Sequence, residues 1–146
     1  MPSAFAILSQ AIAAALLADP PVAAGLVRVE RDVPLGKSEQ RDVLITTLQA
    51  AGQLLTMDGS NTHWDTHVQV ALRVRCAPAE NAMQASDLLL QDVWPRLHAL
   101  QPMSGVRTIT VEPRITWDRD EADTTVAVAR LMVRISHITG AALAPP

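Results

Sequence analysis

The feature that constrains this chain most is an unbroken alternation over residues 63–75. Trp64, Thr66, Val68, Val70, Leu72 and Val74 alternate with His63, Asp65, His67, Gln69, Ala71, Arg73 and Arg75. Successive side chains of a strand point to opposite faces, so the pattern predicts a strand with one buried and one wet face. At roughly 3.4 Å per residue this segment spans about 41 Å, whereas a compact domain of this length is roughly 38 Å across. Such a strand crosses the whole domain or projects beyond it, and the rest of the chain must supply a sheet around it.

Residues 4–18 are almost all apolar. No Lys or Arg precedes them, Ser9 and Gln10 interrupt them, and they fall short of the roughly 20 residues a bilayer requires. The expectation is a soluble helix, capped by Ser3, with Phe5, Leu8, Ile12 and Leu16 at helical spacing and a stop at Pro20 and Pro21. Ile7, Ala11, Ala14 and Leu17 carry apolar character round its other faces. A helix of this kind packs on more than one side, within the domain or against a neighbouring subunit. Residues 26–30 and 42–48 read as strands around a polar loop. Residues 49–62 hold Gly52, Asp58-Gly59 and Ser60-Asn61 and read as a loop or hairpin tip, with a little pairing from Leu54 and Leu55.

Residues 77–100 predict a second helix, with Pro78 in its first turn and a stripe of Met83, Leu90, Val93, Leu97 and Leu100. Pro95 removes the hydrogen bond to the Gln91 carbonyl, which predicts a kink or break around Trp94. Residues 106–117 alternate again, and Pro113 points to an edge or a bulge. Residues 118–123 form an acidic turn, and 124–138 the last strand. There the apolar parity shifts from Val126 and Val128 to Ala129, Leu131, Val133 and Ile135, which predicts a bulge near Ala129. The order α-β-β-β-α-β-β makes an α+β fold, a mainly antiparallel sheet with two helices packed on it. It forms a single domain over 1–146, with 140–146 a loose tail.

Composition narrows the function classes. With 49% hydrophobic and 18% charged residues, the chain can bury roughly 68 to 70% of its unfolded surface. A net charge of -3 argues against a protein that gains affinity by displacing counterions from nucleic acid. Four outward Arg (Arg73, Arg75, Arg130 and Arg134) are the only nucleic-acid footing the sequence offers. Cys76 is the sole cysteine, so neither an intramolecular disulfide nor a Cys-based zinc cluster can form. All basic residues but Lys37 are Arg, which suits a protein-binding surface, although the abundance of Ala suggests genome composition as another cause.

The chemistry-bearing clusters are few. His63, Asp65 and His67 share a strand face, but the two His stand about 13.6 Å apart along a strand, whereas zinc ligands lie close to 2 Å from the ion. A solvated face is the expected role, and a small-ligand or metal-binding domain using these three residues is the alternative. The acidic run lacks the central glycine and terminal Glu of a calcium loop. Cys76 reads as a semi-buried thiol, and His98 and His137 as structural residues. No GxSxG, P-loop, GxGxxG or HExxH motif occurs, and Phe5, Trp64, Trp94 and Trp117 are too few for a base-stacking platform. No catalytic residue, metal or cofactor is expected.

Three segments, Val27-Arg28-Val29-Glu30-Arg31 before a Pro-containing loop, Asp42-Val43-Leu44-Ile45-Thr46-Thr47, and Thr62-His63-Trp64-Asp65-Thr66-His67-Val68, follow a first helix and precede a second helix and closing hairpin. This arrangement, from about Ser3 to His137, resembles the tail terminator (tail completion) proteins of long-tailed phages, of the lambda minor tail protein U type. The resemblance implies a non-enzymatic structural protein of the virion tail, assembled in the host cytoplasm. Such a protein forms a homo-oligomeric ring, commonly a hexamer, that caps the growing tail tube and offers a surface to the head connector protein. It implies neither a membrane partner nor sequence-specific nucleic-acid binding. In such a ring the tip at Asp118, Asp120, Glu121 and Asp123 is expected to pair with the strand-face Arg73, Arg75, Arg130 and Arg134 of a neighbour.

Overall fold

The alternating segment forms β3 (Asn61–Arg75), near the middle of a six-stranded sheet, in a computed structural model that describes residues 2–145. Met1 and Pro146, the ends of the expected domain and tail, lie outside the described residues. The other elements are α1 (Ala4–Leu17), a 3-10 turn at Val22–Gly25, β1 (Val27–Val29), β2 (Arg41–Leu54), α2 (Ala82–His98), β4 (Val106–Val111), β5 (Thr116–Arg119) and β6 (Val126–Gly140). The order α-β-β-β-α-β-β holds, with the expected 106–117 strand divided near Pro113 into β4 and β5. In space the strands run β1-β2-β3-β6-β4, and β5 pairs with β6 beside β4. Only β1 and β2 are parallel.

Both helices cover one face. Leu8, Ile12 and Leu16 of α1 and Leu89, Val93 and Leu97 of α2 pack on Val43, Ile45, Val68, Val70, Leu72, Leu131, Val133 and Ile135, each full burial stabilising by roughly 1.5 to 3 kcal/mol. The cap at Ser3 is present, its hydroxyl accepting from the Ala6 N–H at 3.3 Å. The other end of α1 is closed by Arg96 of α2, whose Nη1 donates to the carbonyls of Ala15, Leu16 and Ala18 and whose Nη2 donates to that of Pro20. Helix α2 starts later than the sequence suggests. Asn81 caps it, accepting from the Gln84 N–H at 2.8 Å, and Pro78 lies outside. Pro95 does not break it, because Gln91 and Pro95 are both exposed and the freed carbonyl is left to water.

Two other expectations are corrected. Residues 49–54 are strand, not loop: after a bulge between Thr47 and Gln49, pairing resumes from Gln49↔His67 to Leu54↔Thr62. Gly52 serves here not as a turn former but as a space for Trp64, since a Cβ on it would come within 2.7 Å of the indole. The turn itself is confined to residues 55–60, where Asp58 accepts from the Thr56 hydroxyl and the Ser60 N–H and its pKa falls to about 2. The second correction concerns Ala129. The β3–β6 register is continuous from Arg75↔Val126 to Asn61↔Gly140, without a bulge. Val126 and Val128 face the side away from the helices and are buried there under Leu35, with Ala71 and Leu44. The parity changes because both faces are covered at that end. Beyond β6 the chain turns back, and the Leu143 carbonyl accepts from the Ala4 N–H at 2.8 Å.

Candidate functional site

The second face of the sheet carries Asp65, Arg73, Arg75, Arg130 and Arg134, with the acidic tip at its margin in the β5–β6 turn, and its two ends differ. At one end the loop over residues 31–40 lies across the strands. Three Arg, one on β1 and two on β3, hold it. Arg73 binds the wholly buried Asp42 through two bonds, of 2.8 and 2.6 Å, and donates to the Val33 carbonyl at 2.7 Å. Arg28 bridges Asp42 and Glu39, and Glu39 accepts from the Gly36 N–H. Arg75 donates to the carbonyls of Leu35, Gly36 and Glu39. Arg73 and Arg75 thus occupy the face that alternation predicts without being outward: Arg73 is only 6% exposed. The loop covers them because its own carbonyls need donors once Leu35 is buried.

Arg130 and Arg134 stand on the same face further along β6. The carboxylate of Asp118 holds Arg130, both oxygens at 2.7 Å from Nη1. Asp65 holds Arg134 through contacts of 2.5 to 3.0 Å, and these bonds keep the Asp65 carboxyl below the usual carboxylate range. Asp123 lies 3.3 Å from Arg75, and the Thr125 hydroxyl and N–H hold its pKa down. Asp120 and Glu121 make no ion pair among the described residues. An open basin of about 430 Å³ lies between these groups, floored by Leu44, Gln69 and Ala71 and walled by Glu30, Asp120 and Arg130.

His63, Asp65 and His67 share the face as expected but do not converge. His63 Nε2 lies 2.5 Å from the Ser136 hydroxyl, Asp65 is taken by Arg134, and His67 Nε2 is 4.0 Å from Asp65. Among the described residues no three His, Cys, Asp or Glu side chains are grouped to hold a metal ion. Cys76 is half-buried, with Arg119 Nη1 at 3.1 Å. No helix among the described residues is long and apolar enough to cross a membrane.

Sequence reasoning missed Asp42, Glu39 and Arg96. The signal for Asp42 was an acid opening the apolar run Val43-Leu44-Ile45, with Arg on the strands either side. The sheet's edges were missed as well. Strand β1 covers β2 only at Val43–Ile45, and among the described residues the outer edge of β2 from 48 to 54 has no strand beside it. On the far side, β4 is likewise bordered only by β6. The chain matches no protein-family model and no curated protein.

Proposed function

We propose that this chain is a structural virion protein of the tail-terminator kind, a homo-oligomeric ring that caps the phage tail tube and provides the surface on which the head connector joins. A closed ring requires each subunit to offer two different surfaces to its two neighbours. The observation that carries the reading is a single sheet with two unlike open edges, at β2 and at β4, and with helices on one face only. The element order and the long paired strands β2, β3 and β6 support it. In the isolated subunit Asp118 and Asp123 are held by its own Arg130 and Arg75, so Asp120 and Glu121 are the acids of the tip left for a neighbour.

The test mixes the purified protein with polymerising tail tube protein under the electron microscope. The expected result is a ring seated on one tube end and arrested elongation. Tubes that elongate at an unchanged rate, with no bound protein, overturn the proposal.

A further inference from the structure

We propose that the open edge of β2 over residues 48–54 pairs with β4 of a second copy of this chain, antiparallel, so that the sheets of adjacent copies join. This deepens the ring reading above and rests on it. Free edges are normally guarded by Lys, Pro or an irregularity. Here residues 43–57 contain no charged residue and no proline, and the bulge of β2 lies at the foot of the free stretch, between Thr47 and Gln49, while β4 has a register shift of its own at its start, between Val106 and Thr108. Leu48 and Leu54 are exposed along it, Leu54 by 64%, and Leu55 and Met57 in the turn beyond it.

The hydrogen-bond register shows which groups are free. The Leu55 N–H donates to the Asn61 carbonyl, so by antiparallel alternation the N–H groups of Leu54, Gly52 and Ala50 point away from β3. Below the bulge the outward positions are already used: Val43 N–H donates to Leu26, and Thr47 N–H to the Glu30 carboxylate at 2.9 Å. The free slot therefore begins just above Thr47 and is about six residues long, and β4 (Val106–Val111) has the same length.

Direction and charge select the second copy as occupant. Antiparallel pairing from β2 to β3, β3 to β6 and β6 to β4 leaves β4 running opposite to β2. A copy related by rotation about an axis along the strands presents β4 in the antiparallel sense. In that arrangement Val111 of the next copy sits at the foot of the slot. The following Arg114 then reaches the end of β1, where Glu30 and Asp32 are exposed. Neither Arg114 nor Asp32 makes an ion pair among the described residues of the single chain.

The experiment measures the mass of the full-length protein by light scattering over a range of concentrations, with circular dichroism to confirm folding. Leu54→Pro removes an outward N–H and an exposed side chain without touching a bond to β3. Arg114→Glu disables the other side of the contact. Each variant is expected to raise the concentration of half-assembly by about tenfold or more, and Asp32→Lys is expected to restore assembly to Arg114→Glu. A mixture of Leu54→Pro and Arg114→Glu retains one good contact and stops at dimers. If Leu54→Pro does not fold, Leu54→Lys takes its place. A wild type that stays monomeric overturns the proposal. So does assembly that Leu54→Pro abolishes and Arg114→Glu leaves intact, which is β2-to-β2 pairing, and assembly indifferent to both, which leaves the edge to another protein's strand or to none. Ring formation is read from the protein alone and capping from tubes, so failure of one is distinguishable from failure of the other.

Discussion

Asp42 is buried between Arg28 and Arg73, and removing it leaves Arg73 as an uncompensated charge in the interior. Breaking such a pair from one side costs about 3 to 5 kcal/mol. Asp42→Ala is therefore expected to lower the urea midpoint by a corresponding amount and to release the 31–40 loop, measured as faster hydrogen exchange there. An unchanged midpoint would show that Arg73 is held by the Val33 carbonyl alone. His137 makes the second residue-level prediction. It is 1% exposed, its Nε2 lies 2.7 Å from the Thr66 hydroxyl, its Nδ1 has no hydrogen-bond partner, and the Phe5 ring meets it edge-on. Burial pushes its pKa below the ordinary 6.5, with a small push from His63 in the same direction. The unfolded chain then binds the proton first, so this stabilisation is complete above about pH 6.5 and is lost as pH falls toward the lowered folded pKa. Melting temperature is expected to drop between pH 7.5 and 5.5 in the wild type and to drop less in His137→Gln. Equal slopes would count against His137 as the source. Alternation was enough to place Arg73 and Asp65 on their face. It could not reveal which of them a loop would cover, because cover comes from residues distant in sequence.

At the scale of elements, the β2–β3 hairpin depends on the absence of a side chain at Gly52. Trp64 cannot easily withdraw, since its indole N–H donates to Thr139 at 2.9 Å and Phe5 packs against it at 5.2 Å between centroids. Gly52→Val is expected to destabilise by about 1 to 3 kcal/mol through overpacking and to shift Trp64 fluorescence toward that of an exposed indole. A neutral substitution with unchanged emission would mean that the hairpin absorbs the branched side chain. This glycine is also why the hairpin was only partly legible. Gly52 beside an Asp-Gly pair reads locally as turn chemistry, and its true role needs a tryptophan from the partner strand. The α1 cap, the long β3 and the edge position signalled by Pro113 were legible because each is decided by neighbours in sequence, whereas the division of 106–117 into two strands was not. The β6 parity change was legible as a signal and misread in cause, since a bulge and a second buried face leave the same mark on one strand.

At the scale of the whole molecule, the acidic tip tests whether exposed charge takes part in assembly. Replacing Asp118, Asp120, Glu121 and Asp123 together with Ser removes two internal pairs, the exposed Asp118–Arg130, which salt screens, and the partly buried Asp123–Arg75. Monomer stability is expected to change little. The salt dependence of ring formation is expected to weaken, as followed by light scattering at low and high ionic strength. A ring with an unchanged salt response removes the tip from the interface. The fold class followed from the order of periodic segments, whereas the open edges did not, because an edge is defined by which strand is missing beside it.

The place of β6 has a consequence for how the chain reaches this structure. The last of these strands in chain order is central, pairing with β3 on one side and with β4 and β5 on the other. The register from Arg75↔Val126 to Asn61↔Gly140 joins segments far apart in sequence, and such non-local contacts slow folding because loop closure precedes the gain from contact. On the ribosome, β2 and β3 emerge as a hairpin after α1 and β1, and the outer edge of β3 stays unpaired until β6 follows. Until then that edge is a template for mispairing. The outer edge of β3 is thus exposed for as long as β6 is delayed, and slower translation before residue 126 lengthens that exposure.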